Sequence, residues 1–237
     1  MQLLELTGIK KDFNMKAALA GVDISVDKGF ALTIFGPNGA GKTTLMKIMS
    51  GIMAPSGGKV FYNGKSLSFN GQRSETYYLG HKNALYNALT VQENLNFTAR
   101  LFGNSKIEMV ETVLQEHGFW EKRHALVEEL SQGMKRRLAI TKGFLTDQNL
   151  LILDEPFAGL DIKWRRSISS KINDLKKQGK SLVISTHLAE EGYELADFIA
   201  FLHRGKVIFI KKKEELKVSD IRALFNSTDE ELEKWVC

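Results

Sequence analysis

The chain has one cysteine and three prolines among its 237 residues. Cys237 is the last residue, so no internal disulfide can form and the expected setting is a reducing compartment. With so few prolines, and no Ser-rich stretch, nothing divides the chain into linked modules. One folded unit carrying a small lobe is the expectation. No run approaches the roughly 18 apolar residues needed to cross a bilayer, and the start, MQLLELTGIKKDF, lacks the apolar core of a secretory leader. A role at a membrane therefore has to come through a partner. Internal repeats and low-complexity tracts are also missing. The net charge of +5 is spread over scattered lysines, apart from Lys211–Lys213, which reads as a solvated turn before a helix. That distribution does not favour nucleic acid.

What is present is an α/β pattern. Leu3–Thr7 and Ile24–Val26 alternate apolar with polar residues, as half-buried antiparallel strands do. Ala31–Phe35 is a fuller apolar run, suited to a strand covered on both faces. Val60–Tyr62 leads into Asn63-Gly64, a hairpin-turn signal. Leu45, Ile48, Met49 and Ile52 recur at helical spacing after a glycine-rich segment. From about 82 to 146 strand signals give way to helical ones, which predicts an inserted helical lobe. Leu150–Leu153 and Leu182–Ile184 are buried-strand runs. Between them Trp164, Ile168, Ile172 and Leu175 form one apolar helical face, and a βαβ unit demands a parallel sheet. Phe198–Leu202 and Val207–Ile210 flank Arg204-Gly205 as a last hairpin. Thr228, with Glu231 three residues on, predicts a capping box in the tail.

Three segments carry chemistry. Gly36, Pro37, Asn38, Gly39, Ala40, Gly41, Lys42 and Thr43, followed by Thr44, fit the P-loop pattern between a buried strand and a helix. Glycines there let backbone N–H groups turn around phosphate oxygens, and the helix N-terminus adds positive potential. Lys42 would reach the β- and γ-phosphates, and the Thr43 hydroxyl would face Mg²⁺. Leu150–Leu153 runs into Asp154 and Glu155. Either this is a helix-capping acidic pair, or Asp154 holds Mg²⁺ and Glu155 polarises the attacking water. Leu130-Ser131-Gln132-Gly133-Met134 precedes a helix bearing Lys135, Arg136 and Arg137. On its own, Ser131 is fully explained as an N-cap.

The order of P-loop, helical lobe, LSQGM, LLILDE, Ala158-Gly-Leu-Asp161 and Ser185-Thr-His187 resembles the nucleotide-binding subunit of ABC transporters over essentially the whole chain. The resemblance implies an α/β fold with a P-loop NTPase core, an antiparallel β-subdomain and an inserted α-helical subdomain. Residues 1–81 and 147–215 would form the RecA-like core with its β-subdomain, 82–146 the helical subdomain and 216–237 a tail. It implies an ATPase using ATP and Mg²⁺ and working as a dimer. The transmembrane permease subunit would be its partner, at the cytoplasmic face of the inner membrane. Ser131 and Gly133 would touch the γ-phosphate of ATP held by the other subunit, Asp161 would lie in the loop crossing between subunits, and His187 would touch the γ-phosphate. Without the resemblance, His187 reads as a structural histidine at a strand end.

Departures from the family pattern are visible. The usual signature is LSGGQ, so Gln132 stands for a glycine and Met134 for the glutamine. Where the family usually has a glutamine that binds the water shell of Mg²⁺, this chain has His81, which is either in that role or a solvent-facing loop residue. Phe13 stands where an aromatic ring commonly stacks on adenine, or else packs in the core. A narrower likeness joins Leu79-Gly-His81 and Leu89-Thr-Val-Gln-Glu-Asn-Leu-Asn-Phe97 to the ATP-binding subunit of the bacterial haem exporter used in cytochrome c maturation. The rivals are a drug- or lipid-type exporter ATPase and a non-transport ABC ATPase. A chromosome-organising ATPase would need a long coiled coil, for which 82–146 leaves no room. A translation-associated ATPase would usually carry two cassettes, and a P-loop kinase would lack the LSQGM and His187 pairing.

Overall fold

The structure is a computed structural model, and it describes residues 2–14, 16–69, 76–80, 83–102 and 107–235. The short apolar runs form the centre of a six-stranded sheet. β3 (Ala31–Phe35), β7 (Leu150–Asp154) and β8 (Ser181–Ser185) are buried at every position, as strands covered on both faces must be. They pair in parallel, flanked by β6 (Thr76–Leu79) and β9 (Phe198–His203), with β10 (Lys206–Lys212) antiparallel at the far edge. The order is β10-β9-β3-β8-β7-β6. Because β3, β7 and β8 run the same way, their carboxyl ends open at one edge, where ligands bind in open α/β sheets.

A second sheet, β2-β1-β4-β5, is antiparallel. It contains β1 (Gln2–Phe13), β2 (Lys16–Asp27), β4 (Gly57–Tyr62) and β5 (Lys65–Ser66). β1 and β2 run well beyond the alternating stretches at Leu3–Thr7 and Ile24–Val26. Register shifts between Leu6 and Ile9, and again beside Lys10 and Lys11, break the two-residue alternation while pairing continues. The turn at Asn63-Gly64 has φ of 49° and 74°, and that at Arg204-Gly205 has 46° and 77°, the double left-handed geometry of a tight hairpin.

α1 (Lys42–Met49) packs Leu45, Met46, Ile48 and Met49 into the core between the sheets. Ile52 does not continue that face. Gly51 at φ 76° ends the helix, the Ile52 N–H bonds back to the Lys47 carbonyl, and the Ile52 side chain is exposed. α5 (Ile162–Lys177) is the crossover between β7 and β8. It buries Ile168, Ile172 and Leu175, with Trp164 half-buried.

Between β6 and β7 lie α2 (Val91–Phe102), α3 (Val110–Glu116) and α4 (Gln132–Thr141), around a cluster of their own that includes Leu95, Leu114, Phe119 and Leu138. The tail adds α7 (Val218–Asn226) and α8 (Asp229–Glu233), which pack with α6 (Ala189–Leu195) over Phe201 and Phe209. Thr228 and Glu231 make the expected capping box at α8. The Lys211–Lys213 cluster is not a simple turn. Lys211 and Lys212 finish β10, Lys213 opens a 3₁₀ turn, and the Lys211 ammonium lies 5.5 Å and 5.2 Å from the ring centres of Phe209 and Trp235.

Candidate functional site

The glycine-rich loop joins β3 to α1. Gly36 passes so close to β9 that a Cβ there would meet the Leu202 carbonyl oxygen at 2.1 Å. Gly41 caps α1 at φ 107°, with the Ala18 carbonyl 2.6 Å from where its Cβ would stand. Both positions therefore demand glycine. The turn after β9 braces the loop from outside, because Gly205 N–H donates to the Ala40 carbonyl and its own carbonyl accepts from Ala20 N–H, both at 2.9 Å.

Lys42 is buried under this loop. Its ammonium donates to the Gly36 carbonyl at 2.6 Å and the Pro37 carbonyl at 3.1 Å, and lies 3.6 Å from Glu155 Oε1. Burial lowers its pKa, and the carboxylates of Glu155 and Asp154 oppose that shift. Outside lies an open cleft of about 500 Å³, lined by Phe13 and Ala18 on one side and by the loop, Thr43, Thr44 and Glu155 on the other. Phe13 is 45% exposed, so its ring faces the cleft and solvent and is not core packing.

The two carboxylates sit differently. Asp154 is 1% exposed. In-register pairing sets it beside Ser185 on β8, whose hydroxyl donates to Oδ1 at 2.6 Å, and the Tyr78 hydroxyl at the end of β6 donates to Oδ2 at 3.3 Å. Burial first, and the adjacent carboxylate second, push the Tyr78 pKa up. The two hydroxyls fix the orientation of a single carboxylate, and one such carboxylate fits the way proteins hold Mg²⁺ together with phosphate oxygens. Glu155 turns away from the strand at φ 49°, a left-handed conformation that costs a non-glycine residue on the order of 1–2 kcal/mol. Its N–H donates to the Ser185 hydroxyl and carbonyl. The turn brings its carboxylate to the cleft, where Oε2 lies 3.0 Å from Nδ1 of His187, itself half exposed.

The family model described as ABC transporter matches residues 19–158. The chain is 34% identical to the xylose/arabinose import ATP-binding protein XylG of Sulfolobus acidocaldarius, over 95% of this chain and 94% of that one. It is 31% identical to the lantibiotic transport ATP-binding protein SrtF of Streptococcus pyogenes, over 95% and 96%. A solved structure of an ATP-binding subunit of an ABC transporter superposes with a TM-score of 0.82 at 27% identity, covering 97% of both chains. This chain belongs to the ABC transporter family. It is the family's ATP-binding, ATP-hydrolysing subunit.

In this ABC subunit the segments expected from the sequence fall into two groups. The P-loop, Asp154, Glu155, His187 and Phe13 gather at the cleft. Ser131 and Gly133 belong instead to the start of α4, where the Ser131 hydroxyl accepts from Met134 N–H at 3.3 Å as an N-cap. Asp161 caps α5 by accepting from Trp164 N–H at 2.9 Å. His81 lies outside the described residues. Three side chains of the site escaped sequence reading. Tyr78 and Ser185 hold Asp154 by hydroxyls that carry no motif. Arg136 looked like one more charge in the run Lys135–Arg137, yet it is buried against the Asp154–Glu155 turn. Its one sequence signal is helical spacing, three and four residues before the apolar Ala139 and Ile140, which puts it on their buried face.

Proposed function

We propose that this ABC subunit hydrolyses MgATP in a site completed by a second subunit, and that it drives a separate membrane subunit by opening and closing. The observation that carries the reading is the Glu155 carboxylate held between the Lys42 ammonium and the His187 ring at the mouth of the P-loop cleft. Loop N–H groups and the α1 N-terminus would take the phosphates. Lys42 would exchange its Gly36 and Pro37 carbonyls for phosphate oxygens. Thr43 and Asp154 would hold Mg²⁺, which supplies charge neutralisation on the phosphate oxygens when bound. Glu155 would orient and polarise the attacking water, with His187 at its flank. Phe13 would stack on the adenine. Ser131 and Gly133 of one subunit would close on the ATP of the other, with Asp161 at the crossing. His81 is assigned to the Mg²⁺ water shell on sequence alone.

The membrane subunit would dock around residues 81–97, where Tyr86 and Phe97 are exposed and meet edge to face at 4.9 Å between ring centres. In this reading the subunit would sit peripherally, at the cytoplasmic face of the inner membrane. The narrower reading, a haem exporter serving cytochrome c maturation, rests on Leu79-Gly-His81 and the 89–97 segment. The relatives described above are named for xylose/arabinose import and lantibiotic transport, so the cargo is tested separately. Deleting the gene should block covalent cytochrome c assembly, and normal cytochrome c would end that subtype while leaving the ATPase reading intact.

Glu155→Gln tests the mechanism. Steady-state hydrolysis should fall at least about a hundredfold with ATP binding retained, and light scattering should show a dimer with MgATP and a monomer without nucleotide. Turnover near wild type would remove Glu155 from the catalytic role.

A further inference from the structure

Arg136 projects from α4 into the core and is 5% exposed. A guanidinium has five N–H donors in one plane, and each of them has an acceptor here. Nε donates to the Pro156 carbonyl at 3.1 Å. Nη2 donates to the carbonyls of Asp154 at 2.8 Å and Glu155 at 2.9 Å. Nη1 donates to the Gly80 carbonyl at 2.7 Å and to Asn83 Oδ1 at 3.1 Å. Three consecutive carbonyls, 154 to 156, thus converge on one cation. Carbonyl dipoles aimed at one point repel each other, and the chain adopts such a turn only if a donor array stands at the focus. The residue in the middle of that turn is Glu155, at φ 49°.

The side chain also remains a cation under this burial. Desolvation pulls its pKa down to about 10, opposed by Asp154, Tyr77 and Glu155, so the guanidinium is charged at neutral pH.

We propose that Arg136 is a positioning residue for ATP hydrolysis: by clamping the carbonyls of residues 154–156 it holds Glu155 in the left-handed turn that aims its carboxylate at Lys42 and His187. Release of the clamp lets the three peptide planes rotate apart, and the carboxylate leaves its place in the cleft. The partners of Arg136 are the carbonyls of residues 80 and 154–156 and the Asn83 amide oxygen, none of them in the P-loop, so the loop keeps its own hold on the phosphates. The inference rests on the reading of Glu155 as the carboxylate that polarises water. Lysine is no substitute, because its ammonium is a point donor with three N–H groups and no planar fork.

The experiment compares Arg136→Lys, Glu155→Gln and the double variant by steady-state and single-turnover hydrolysis, with ATP affinity and thermal melting measured alongside. In Arg136→Lys, kcat should fall about 20- to 100-fold while KM and the ATP Kd stay within about threefold, the signature of a misplaced group in the transition state. The double variant should be no slower than Glu155→Gln alone, within about twofold, because Arg136 acts through that carboxylate. A kcat within about threefold of wild type overturns the inference. So does a raised KM at unchanged kcat, or a loss in the double variant that multiplies the two single losses. Glu155→Gln with near-normal turnover would instead overturn the catalytic reading itself, whatever Arg136→Lys does. Should Arg136→Lys fail to fold, Asn83→Ala carries the test, since it removes the one side-chain acceptor from a half-buried position. It should lower kcat about three- to fivefold at unchanged melting, and an unchanged kcat overturns the inference.

Discussion

Nδ1 of His187 stands 3.0 Å from Oε2 of Glu155, although the two residues follow different strands. β7 and β8 pair in parallel and in register, Asp154 against Ser185, so the residues just beyond each strand end meet at the same edge of the sheet. An ionised carboxylate oxygen can only accept, so in this contact Nδ1 is the donor.

His187→Ala should therefore leave Glu155 Oε2 without this partner and slow hydrolysis by roughly 10- to 100-fold, with ATP affinity little changed. His187→Asn, whose amide can take the place of Nδ1, should recover part of the lost rate. Equal rates for His187→Ala and wild type in steady-state assays would show that the contact has no catalytic weight.

A second expected outcome concerns α6, which follows His187. Gly192 faces β3 so closely that an added Cβ would stand 2.6 Å from both the Phe35 ring and the Thr186 methyl, and its carbonyl accepts from the Thr33 hydroxyl at 3.0 Å. Phe35 is fully buried and cannot yield without disturbing the strand before the P-loop. Gly192→Ala should destabilise the fold by about 1–3 kcal/mol. For a chain of this size that is a melting-point drop of about 3–10 °C, readable by calorimetry. An unchanged or raised melting point would mean that α6 slides away at no cost.

Acid should also act through one buried ring. His117 ends α3 against Phe144, ring centres 4.3 Å apart, and its Nδ1 has no hydrogen-bond partner. Burial first, then the cations Lys171 and Arg137, lower its pKa from 6.5 to about 4. The unfolded chain takes up the proton first as pH falls, so the stability from burying the neutral ring is complete above about pH 6.5. It is lost progressively down to about pH 4. The loss is on the order of 3 kcal/mol. His117→Gln, which cannot titrate, should show a flatter dependence of melting temperature on pH across that window, and identical slopes for the two proteins would disprove the assignment.

The features legible in the sequence are those whose causes lie within a few residues. The P-loop is written as glycines at 36, 39 and 41 followed by Lys42, because a phosphate cradle needs a particular local backbone. The Asn63-Gly64 and Arg204-Gly205 turns, the Thr228 capping box and the Ser131 cap have equally short causes, and each formed where the residues called for it. Apolar run length separated the buried strands β3, β7 and β8 from the half-exposed ones, since a strand with two covered faces has no polar alternation.

Tertiary structure decided what depends on which segments become neighbours. β1 and β2 run past their alternating stretches because each continues to pair across bulges, and pairing is not recorded in either strand alone. Tyr78 and Ser185 serve Asp154 only because β6 and β8 flank β7. Arg136 illustrates the limit most sharply. In the run Lys135–Arg137 all three residues carry the same charge, and beyond helical spacing to Ala139 and Ile140 nothing local says which one turns inward. α4 rotates that one guanidinium onto five acceptors drawn from two distant segments, and a buried cation is tolerated only where such a full set of partners has been assembled by the fold.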